Sequence, residues 1–573
     1  MKILFYHHNI KIETHSTLER ANGRPSVFIG LAGLYLKTYL DIKKPNIAKQ
    51  VEWHHSQQLR IDDDELVSLI KKEKVDLLCT THYIWNYKAL LDQLKRIRSR
   101  VPDVKFLAGG PSVDVNINDS YFKDYNFIDY AFYGAGEKSF AEFVEKLVNK
   151  EPLISSEMTN MAWPDEHRNA IVADFEYVPQ SKISPFIYCE EMFTKIIEQI
   201  RTQNAYPIVP YELTRGCPYA CTFCDWNSGL TNKTTRRKES YKDEIDLFCR
   251  LKLQDLYLAD ANVGQYQEDI DMIEYLAEKN LQHSAGFKID GNFSKLRKDN
   301  NLKIYHVMAK SNMCNNFVIS LQDSNPTILE NIDRPDVGWD EHAKIISELT
   351  ENYPHIPALV QLIQGLPGQT VSTWRQTLSD VVHQENVLPL VYVNELLSAS
   401  PAARDKTYTE KWNFVYSNSI RWDTFAQSEF KSPFSKSCSS FTELDFIEMC
   451  MLTLIYSVVN HHIRNLQVQD IKFDIESIVD RFLVSELYTL LKNNLTENWL
   501  VNDKFYFTVG IDGKPQAIPT RADNMITEEI IPKIASDHNF LKWTIQGLST
   551  TISASSKKQY ARYVFDTIKD QSA

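Results

Sequence analysis

Three cysteines lie close together in the chain, at Cys217, Cys221 and Cys224, while the other six of the nine cysteines are scattered. Soft thiolates at this C-x3-C-x2-C spacing are typical of ligands for an iron–sulfur cluster. A cubane cluster has about four irons, so three cysteines leave one iron free to bind a substrate or a cofactor. We therefore predict that these three cysteines are metal ligands.

Zinc and ordinary burial are the alternatives for the same cysteines. Structural zinc needs four ligands, and the next cysteine along the chain, Cys249, falls in a helical pattern over Tyr241–Leu253. Chance burial does not account for three cysteines at this spacing. An iron–sulfur cluster is the favoured interpretation.

The elements around the cysteines predict a parallel barrel over residues 206–404. Six strand-like runs alternate with helical patterns, which indicates a full or partial (β/α)6 barrel with its chemistry at the carboxyl ends of the strands. The cysteines directly follow the first run. The six runs are Ile208–Leu213, Leu256–Ala259, Ala285–Ile289, Asn316–Leu321, Leu359–Ile363 and Leu390–Leu396.

Residues 1–150 predict a separate α/β domain with a doubly wound, Rossmann-like sheet. Its strand-like runs are Ile3–Tyr6, Val75–Thr80, Lys105–Ala108 and Tyr130–Tyr133. Its helical patterns are Phe28–Leu40, Asp64–Lys72, Tyr87–Arg100 and Ser139–Lys150. Glycines follow two of the strands, at Gly109-Gly110 and at Gly134 with Gly136, which fits either a ligand beyond the strand ends or simple tight turns.

The remaining segments are a linker and a C-terminal region. Residues 151–205 are poorly periodic and proline-containing, which predicts a linker. Residues 405–573 predict a mostly helical domain that shapes the substrate site. Its long helix is expected to open at Ser440–Glu443 and to end near Arg464. A β-hairpin is expected around Asp512-Gly513, followed by helices near Glu528–Trp543 and Lys557–Lys569.

Composition excludes several classes of protein. The chain has 573 residues, 43% of them hydrophobic, and 63 basic against 75 acidic residues give a net charge of −12. These values argue against a disordered chain and against general nucleic-acid binding. No run predicts a signal peptide or a membrane-spanning helix, so we expect a cytoplasmic protein with neither nucleic-acid nor membrane partners.

Beyond the cysteines, several stretches resemble the radical S-adenosylmethionine superfamily. The central ones are Tyr211–Tyr219, Phe317–Pro326 and Gly365–Thr370, the last reading GLPGQT. The N-terminal ones are similar to the subgroup that carries a cobalamin-binding domain, and they are Tyr83–Asn86, Leu107–Pro111, Gly134–Glu137 and the linker segment Ser184–Phe186. The resemblance covers roughly residues 1–405.

The resemblance implies a [4Fe-4S] cluster that cleaves S-adenosylmethionine and generates a radical that abstracts hydrogen from an unactivated carbon. It implies contacts to S-adenosylmethionine from residues at the barrel strand ends, namely Asp260, Asn262, Ser320, Gln322 and Gln361. It also implies cobalamin in the N-terminal domain. The positions expected near cobalamin are Tyr83, Trp85, Gly109, Gly110, Gly134 and Gly136. A lower axial histidine signature, Asp-x-His-x-x-Gly, is absent from the sequence.

Three functions stay open. The first is cobalamin-dependent C-methylation of a natural product or a ribosomal peptide, with a flavodoxin- or ferredoxin-type reductant. The second is peptide epimerisation with a cysteine hydrogen donor, for which Cys438 and Cys314 are the candidates. The third is a non-catalytic iron–sulfur electron carrier, which the absence of a second cysteine cluster disfavours.

Overall fold

The computed structural model describes most of the chain, apart from several short segments and the C-terminal end. The described residues are 1–8, 24–59, 62–83, 86–113, 118–226, 233–237, 241–397, 400–417, 420–423, 428–431, 433–465, 474–496, 506–509 and 516–519. The following statements concern these residues.

The strands fall into an N-terminal group, a central group and a C-terminal group. The N-terminal strands are β1 Lys2–His8, β2 Ser26–Phe28, β3 Glu52–Gln58, β4 Leu77–Thr81, β5 Lys105–Gly109, β6 Tyr130–Phe132, β7 Met161–Pro164 and β8 Ala170–Val172. The central strands are β9 Tyr206–Tyr211, β10 Thr214–Arg215, β11 Thr235–Arg236, β12 Asp255–Val263, β13 Lys288–Phe293, β14 Phe317–Gln322, β15 Ala358–Gln364 and β16 Val387–Val393. The C-terminal strands are β17 Val415–Tyr416, β18 Ile420–Asp423, β19 Ser428–Lys431, β20 Ser435–Ser437, β21 Tyr506–Val509 and β22 Gln516–Pro519.

The helices separate consecutive strands in the N-terminal and central groups, as the sequence predicts. The N-terminal α-helices are Ala32–Lys43, Pro45–Ala48, Asp63–Glu73, Tyr87–Ile97, Tyr121–Asp124, Glu137–Asn149, Pro185–Tyr188 and Glu190–Thr202. The central ones are Tyr241–Arg250, Gln267–His283, Lys298–Lys310, Pro326–Asn331, Trp339–Asn352 and Val371–Val382. The C-terminal ones are Pro401–Arg404, Lys406–Trp412, Glu443–Asn465, Ile475–Leu483 and Glu486–Thr496. Short 3-10 helices cover Arg98–Arg100 and Ser155–Glu157.

The N-terminal sheet has the order β3-β1-β4-β5-β6-β7-β8. The five strands β3, β1, β4, β5 and β6 pair in parallel. Strands β7 and β8, which lie within the predicted linker, add to the sheet as antiparallel strands. Apolar side chains of β1, β4 and β5 are buried on both faces of the sheet. These strands could therefore be predicted from their apolar runs. Strand β3 reads Glu-Trp-His-His-Ser-Gln-Gln and lies at the sheet edge, where no apolar run is needed.

The central strands form a partial barrel of two parallel sheets, in the orders β13-β12-β9-β2 and β14-β15-β16. All six predicted barrel strands are present. Strand β2 pairs in parallel with β9 although its residues fall within the range predicted for the N-terminal domain. The expected helix over Phe28–Leu40 therefore begins only at Ala32, because Phe28 belongs to this strand.

The long helix Glu443–Asn465 packs along the outside of the second barrel sheet. Its capping box joins Thr442 and Asp445 rather than Ser440 and Glu443: Asp445 N donates to Thr442 Oγ1 at 3.2 Å, and Thr442 N donates to Asp445 Oδ2 at 2.8 Å. The predicted cap position was therefore wrong by two residues. Inside the interface Trp374 Nε1 donates to Thr453 Oγ1 at 2.9 Å.

The C-terminal hairpin is present as β21 and β22, which pair antiparallel from Tyr506↔Pro519 to Val509↔Gln516. Its predicted turn at Asp512-Gly513 lies outside the described residues, as do the two predicted helices after it. Among the helices that the structure describes, none combines the length and the apolar character that a bilayer crossing requires.

Candidate active site at the carboxyl edge of the barrel

The loop that carries the three cysteines leaves the barrel directly after β9. Asp260 on β12 fixes its start, because one carboxylate oxygen accepts from Leu213 N at 2.8 Å and the other from Thr214 N at 2.9 Å. Both oxygens of Asp260 are thus occupied by the cysteine loop. These contacts give Asp260 a role in positioning the loop, and its contact to S-adenosylmethionine stays a prediction.

The Asp260 carboxyl is almost completely buried. Burial, and next the negative charge of Asp269, raise the pKa of Asp260 to about 7, although the two backbone N–H groups oppose this shift. Burial therefore disfavours the charged form of this carboxyl.

A chain of ion pairs continues from the loop towards the N-terminal domain. Arg215, two residues before Cys217, donates from Nη1 to Glu137 Oε1 at 2.6 Å and from Nη2 to Glu212 Oε2 at 3.1 Å. Glu137 is the first residue of the helix Glu137–Asn149 and directly follows Gly136. This pair joins the cysteine loop to the glycine turn after β6.

Two of the three cysteine sulfurs accept hydrogen bonds from neighbouring strand ends. Asn262 Nδ2 on β12 donates to Cys217 Sγ at 3.2 Å. Lys295 Nζ, two residues after β13, donates to Cys221 Sγ at 3.0 Å. Asn262 thus contacts a predicted metal ligand, and its predicted contact to S-adenosylmethionine stays a prediction. Lys295 was missed, although its position just after a barrel strand could have indicated it.

The three thiols fit an iron–sulfur cluster better than a single metal ion. Among the described residues, no three His, Cys, Asp or Glu side chains converge on one point suited to a metal ion. In a cubane each cysteine binds a different iron, so the ligands need not converge. The donors at Cys217 and Cys221 also suit thiolates, because hydrogen bonds to ligand sulfur stabilise negative charge.

The predicted residues on β14 and β15 contact one another. Ser320 and Gln361 lie opposite each other in the register, and Ser320 Oγ donates to Gln361 Oε1 at 2.6 Å. Gln322 ends β14 at a register shift, is buried and has a φ of 74°. A non-glycine residue in this region is strained, so Gln322 marks a specially shaped strand end at the same edge of the barrel.

The GLPGQT turn after β15 is rigid. Gln369 Oε1 accepts from Gly365 N at 2.7 Å and Leu366 N at 3.0 Å, and its Nε2 donates to Asp323 Oδ2 at 2.6 Å. Gly365 has a φ of 92°, and a Cβ there would lie 2.6 Å from Ser435 Oγ. Only glycine fits this position without displacing the C-terminal segment.

The two candidate hydrogen donors lie at opposite ends of the barrel. Cys438 Sγ is 3.1 Å from Ser440 Oγ, which in turn accepts from Gly368 N at 3.0 Å, so Cys438 is at the cysteine-loop end. Cys314 precedes β14 and is buried beside Lys288, the first residue of β13. Its burial raises the pKa of the thiol to about 12. Cys314 therefore lies at the amino end of the barrel, away from the cysteine loop.

A small cleft lies beside the cysteine loop, between the ends of β15 and β16 and the C-terminal segment. Its lining mixes aromatic and apolar side chains with polar ones, including Thr222, Asn394 and Glu395. The lining residues are Thr222, Phe223, Ile332, Leu366, Pro367, Asn394, Glu395, Leu396, Ala402, Tyr408, Phe414 and Tyr416.

The residues predicted near cobalamin gather at the carboxyl edge of the N-terminal sheet. Tyr83 follows β4, Gly109 ends β5 with Gly110 next, and Gly134 and Gly136 follow β6. Trp85 lies outside the described residues. A Cβ on Gly109 would have its nearest neighbour at 3.8 Å, whereas one on Gly110 would lie 2.6 Å from His82 O.

Buried histidines also lie at this edge, although the sequence has no Asp-x-His-x-x-Gly signature. His8 ends β1 and is buried, and its Nδ1 has no hydrogen-bond partner among the described residues. Burial lowers the pKa of His8 to about 4. An unpartnered neutral imidazole at the same sheet edge as these glycines fits a large ligand with polar side groups, so the residues present are compatible with cobalamin.

Comparison with known proteins supports both parts of this arrangement. The family model of the Radical SAM superfamily matches residues 211–381. The cobalamin-dependent radical SAM methyltransferase TokK of Streptomyces tokunonensis is 27% identical over 380 residues, covering 64% of this chain and 54% of TokK. The 2-(S-pantetheinyl)-carbapenam-3-carboxylate methyltransferase of Streptantibioticus cattleyicolor is 27% identical over 382 residues, with the same coverage. The match thus spans about half the length of these relatives.

Solved structures share the fold. The cobalamin-dependent S-adenosylmethionine radical enzyme OxsB, with aqua-cobalamin and S-adenosylmethionine bound, has a TM-score of 0.57 at 13% identity and covers 99% of this chain and 84% of its own. The radical S-adenosylmethionine methyltransferase TsrM of Kitasatospora setae has a TM-score of 0.53 at 12% identity and covers 70% and 77%. The architecture is thus an N-terminal α/β domain, a partial barrel and a largely helical C-terminal region.

Proposed function

We propose that this chain, which carries a radical SAM domain over residues 211–381, is a cobalamin-dependent radical methyltransferase. The observation that carries the proposal is the loop of three cysteines at the carboxyl edge of the barrel, with donors at two sulfurs and a rigid link to the N-terminal sheet edge. When bound, the cluster supplies an electron to S-adenosylmethionine, and cobalamin supplies a transferable methyl group.

The cysteine loop would hold the cluster through Cys217, Cys221 and Cys224. Asp260 fixes the start of the loop, and Asn262 and Lys295 orient two of the sulfurs. Ser320, Gln322 and Gln361, at the ends of β14 and β15, line the same edge and are proposed to contact S-adenosylmethionine. Tyr83, Gly109, Gly110, Gly134 and Gly136 are proposed to lie near cobalamin.

The substrate is proposed to be a small natural product or a peptide that reaches the edge between the two domains. The cleft beside Phe223 adjoins the cysteine loop, which supports a substrate site there. A flavodoxin- or ferredoxin-type reductant is proposed as the electron source. One relative is named as a methyltransferase of 2-(S-pantetheinyl)-carbapenam-3-carboxylate. This name supports a small-molecule substrate.

The test is metal content after anaerobic purification and reconstitution with iron, sulfide and hydroxocobalamin. We expect about four irons and about one cobalt per chain. The triple variant Cys217→Ala, Cys221→Ala, Cys224→Ala should lose the iron and keep the cobalt. A Cys249→Ala variant is the matched control, since Cys249 lies outside the loop, and it should keep both metals.

Two results would contradict the proposal in different ways. A wild-type chain without iron would remove the radical mechanism altogether. Iron without cobalt would remove the methyl carrier and leave only hydrogen abstraction. With both metals bound, transfer of a labelled methyl group from S-adenosylmethionine to an added substrate library is the direct readout.

One observation favours a second candidate, a radical peptide epimerase. Cys438 lies at the cysteine-loop end of the barrel, and its sulfur is 3.1 Å from Ser440 Oγ beside the GLPGQT turn. A thiol there could return a hydrogen atom to a substrate radical. Iron without cobalt, together with solvent deuterium incorporated by the wild type and lost in Cys438→Ala, would support this candidate over methylation.

A further inference from the structure

The two side chains that donate to the cysteine loop differ in charge. Asn262 brings a neutral amide to Cys217 Sγ at 3.2 Å, and Lys295 brings an ammonium group to Cys221 Sγ at 3.0 Å. Both come from strand ends of the same barrel sheet, β12 and just after β13. The sulfurs are therefore in unequal electrostatic surroundings.

Lys295 is buried, with only 7% of its surface exposed. Its ammonium group lies 4.1 Å from the centre of the Tyr219 ring, a favourable cation–π contact. No ion pair between Lys295 and a carboxylate is seen in the described part of the chain. A buried cation is costly unless an anion compensates it, and the cysteine sulfur is the group in contact.

The charge of an iron–sulfur cluster becomes more negative by one unit on reduction. An ammonium group held against a ligand sulfur stabilises the reduced state more than the oxidised state, and hydrogen bonds to sulfur act in the same direction. Removing the cation while keeping the aliphatic stem should therefore make reduction harder without unpacking the site.

We propose that Lys295 is a positioning residue that raises the reduction potential of the cluster through its contact with Cys221, with Asn262 making a weaker contribution at Cys217. The proposal rests on the proposed function, because it requires a cluster on the cysteine loop. It assigns to Lys295 a role separate from ligation: the residue sets how easily the cluster accepts the electron that starts the reaction.

The test is an anaerobic redox titration of the reconstituted enzyme without S-adenosylmethionine, followed by electron paramagnetic resonance. For Lys295→Met we expect reduction to become at least tenfold less favourable, which is about 59 mV for a one-electron couple. Lys295→Arg should have a reduction potential close to that of the wild type, since arginine keeps the charge and the donor. Asn262→Leu should shift the equilibrium in the same direction by a smaller factor.

Lys298→Met is the matched control. Lys298 is exposed and paired with Glu341, so removing its charge should change the reduction equilibrium by less than twofold because solvent screens it. This control separates a local contact from a general loss of positive charge.

The outcomes distinguish this proposal from the proposed function. No iron in the wild type would defeat the proposed function itself. Equal potentials in wild type and Lys295→Met, with equal iron, would overturn the role of Lys295 and leave the function standing. A shift seen only after S-adenosylmethionine is added would also overturn it, by assigning the ammonium group to that ligand.

If Lys295→Met fails to take up iron, Lys295→Gln provides the decisive measurement. Glutamine keeps a hydrogen-bond donor, one bond shorter than that of lysine, but carries no charge. A lowered potential in this variant supports the proposal, and an unchanged potential overturns it.

Discussion

Two edges of the molecule collect the residues that the sequence singled out: the carboxyl edge of the barrel and the carboxyl edge of the N-terminal sheet. At the barrel edge, charged side chains are buried with partners, as with Asp260 on the loop backbone and Lys295 on Cys221. At the N-terminal edge, His8 and His82 are buried as neutral imidazoles with pKa values lowered to about 4 and 3 by burial.

The difference reflects what each edge has to hold. A loop bearing three thiolates concentrates negative charge, and donors and ion pairs fix it in place. The N-terminal edge instead offers neutral polar groups and glycines, which suit a large cofactor bound by shape and hydrogen bonds. The pair Arg215–Glu137 joins the two edges, so loss of this pair should affect both, whereas a change confined to one edge should affect that edge.

The largest effect is expected from breaking the barrel edge alone. Asp260→Ala leaves the N–H groups of Leu213 and Thr214 buried without acceptors, at a cost of roughly 1–3 kcal/mol each. The cysteine loop should lose its fixed start, so iron uptake should fall severalfold while cobalt uptake stays near that of the wild type. Metal analysis and the melting temperature are the measurements.

Asp260→Asn is the control for this change. It keeps the shape and one oxygen acceptor, so its iron content and stability should fall between those of wild type and Asp260→Ala. Equal loss of iron and cobalt in Asp260→Ala would contradict this prediction, because it would show that Asp260 also supports the N-terminal edge.

The next effect is expected from cutting the link between the edges. Glu137→Gln removes a charge-assisted hydrogen bond of roughly 1.5–3 kcal/mol from the buried pair with Arg215. Because the pair joins the cysteine loop to the turn after β6, iron and cobalt uptake should both decrease. A double-mutant cycle with Arg215→Gln isolates the pair energy.

A surface pair supplies the comparison for this cycle. Arg96 and Asp63 are 2.7 Å apart, and Arg96 is half exposed. Their coupling should stay below about 1 kcal/mol, with no effect on either metal. A coupling for Glu137 and Arg215 no larger than this would contradict the structural link.

Sequence reasoning identified the strands that carry the two edges because central strands are continuous apolar runs, as in β1, β4 and β15. It missed β3, whose polar sequence is permitted at a sheet edge, and β2, whose three residues are too short to show periodicity. The cysteine loop was predicted because the C-x3-C-x2-C spacing is itself typical of cluster ligands.

The partners of the site were harder to predict. The sequence singles out Asp260 and Asn262 on β12, but a strand position does not reveal side-chain contacts, and both contact the cysteine loop. Lys295 has no sequence signal beyond its place after β13. Cys314 lies just before β14, and its position in the chain already places it at the amino end of that strand.

The two edges should respond to acid in opposite directions. The pKa of His82 is about 3 in the folded chain and about 6.5 when unfolded, so its contribution to stability is complete above pH 6.5 and decreases as the pH falls below it. The pKa of Asp260 is raised to about 7 in the folded chain, so its contribution increases as the pH falls from 7 towards 4. Each group changes the unfolding free energy by roughly 1.4 kcal/mol per pH unit within its window.

The melting temperatures of the wild type and of both variants, measured at about pH 7.5, 6.5 and 5.5, test the direction of each effect. His82→Gln should lessen the loss of stability in acid, and Asp260→Asn should increase it. The same pH profile in His82→Gln and in the wild type would mean that the imidazole is not held neutral by burial.

The smallest structural effect, and the sharpest test of the N-terminal edge, comes from two neighbouring glycines. A Cβ at Gly109 would have nothing nearer than 3.8 Å, whereas one at Gly110, with φ at 103°, would lie 2.6 Å from His82 O. Gly109→Ala should therefore change stability by less than about 0.5 kcal/mol, and Gly110→Ala should cost roughly 1–3 kcal/mol. If cobalamin approaches this edge, Gly109→Ala should weaken hydroxocobalamin binding, measured by spectroscopic titration, while the fold and the iron content are preserved. Unchanged cobalamin affinity in a stable Gly109→Ala would place the cofactor away from the end of β5, and the contrast between the two edges would then rest on the histidines alone.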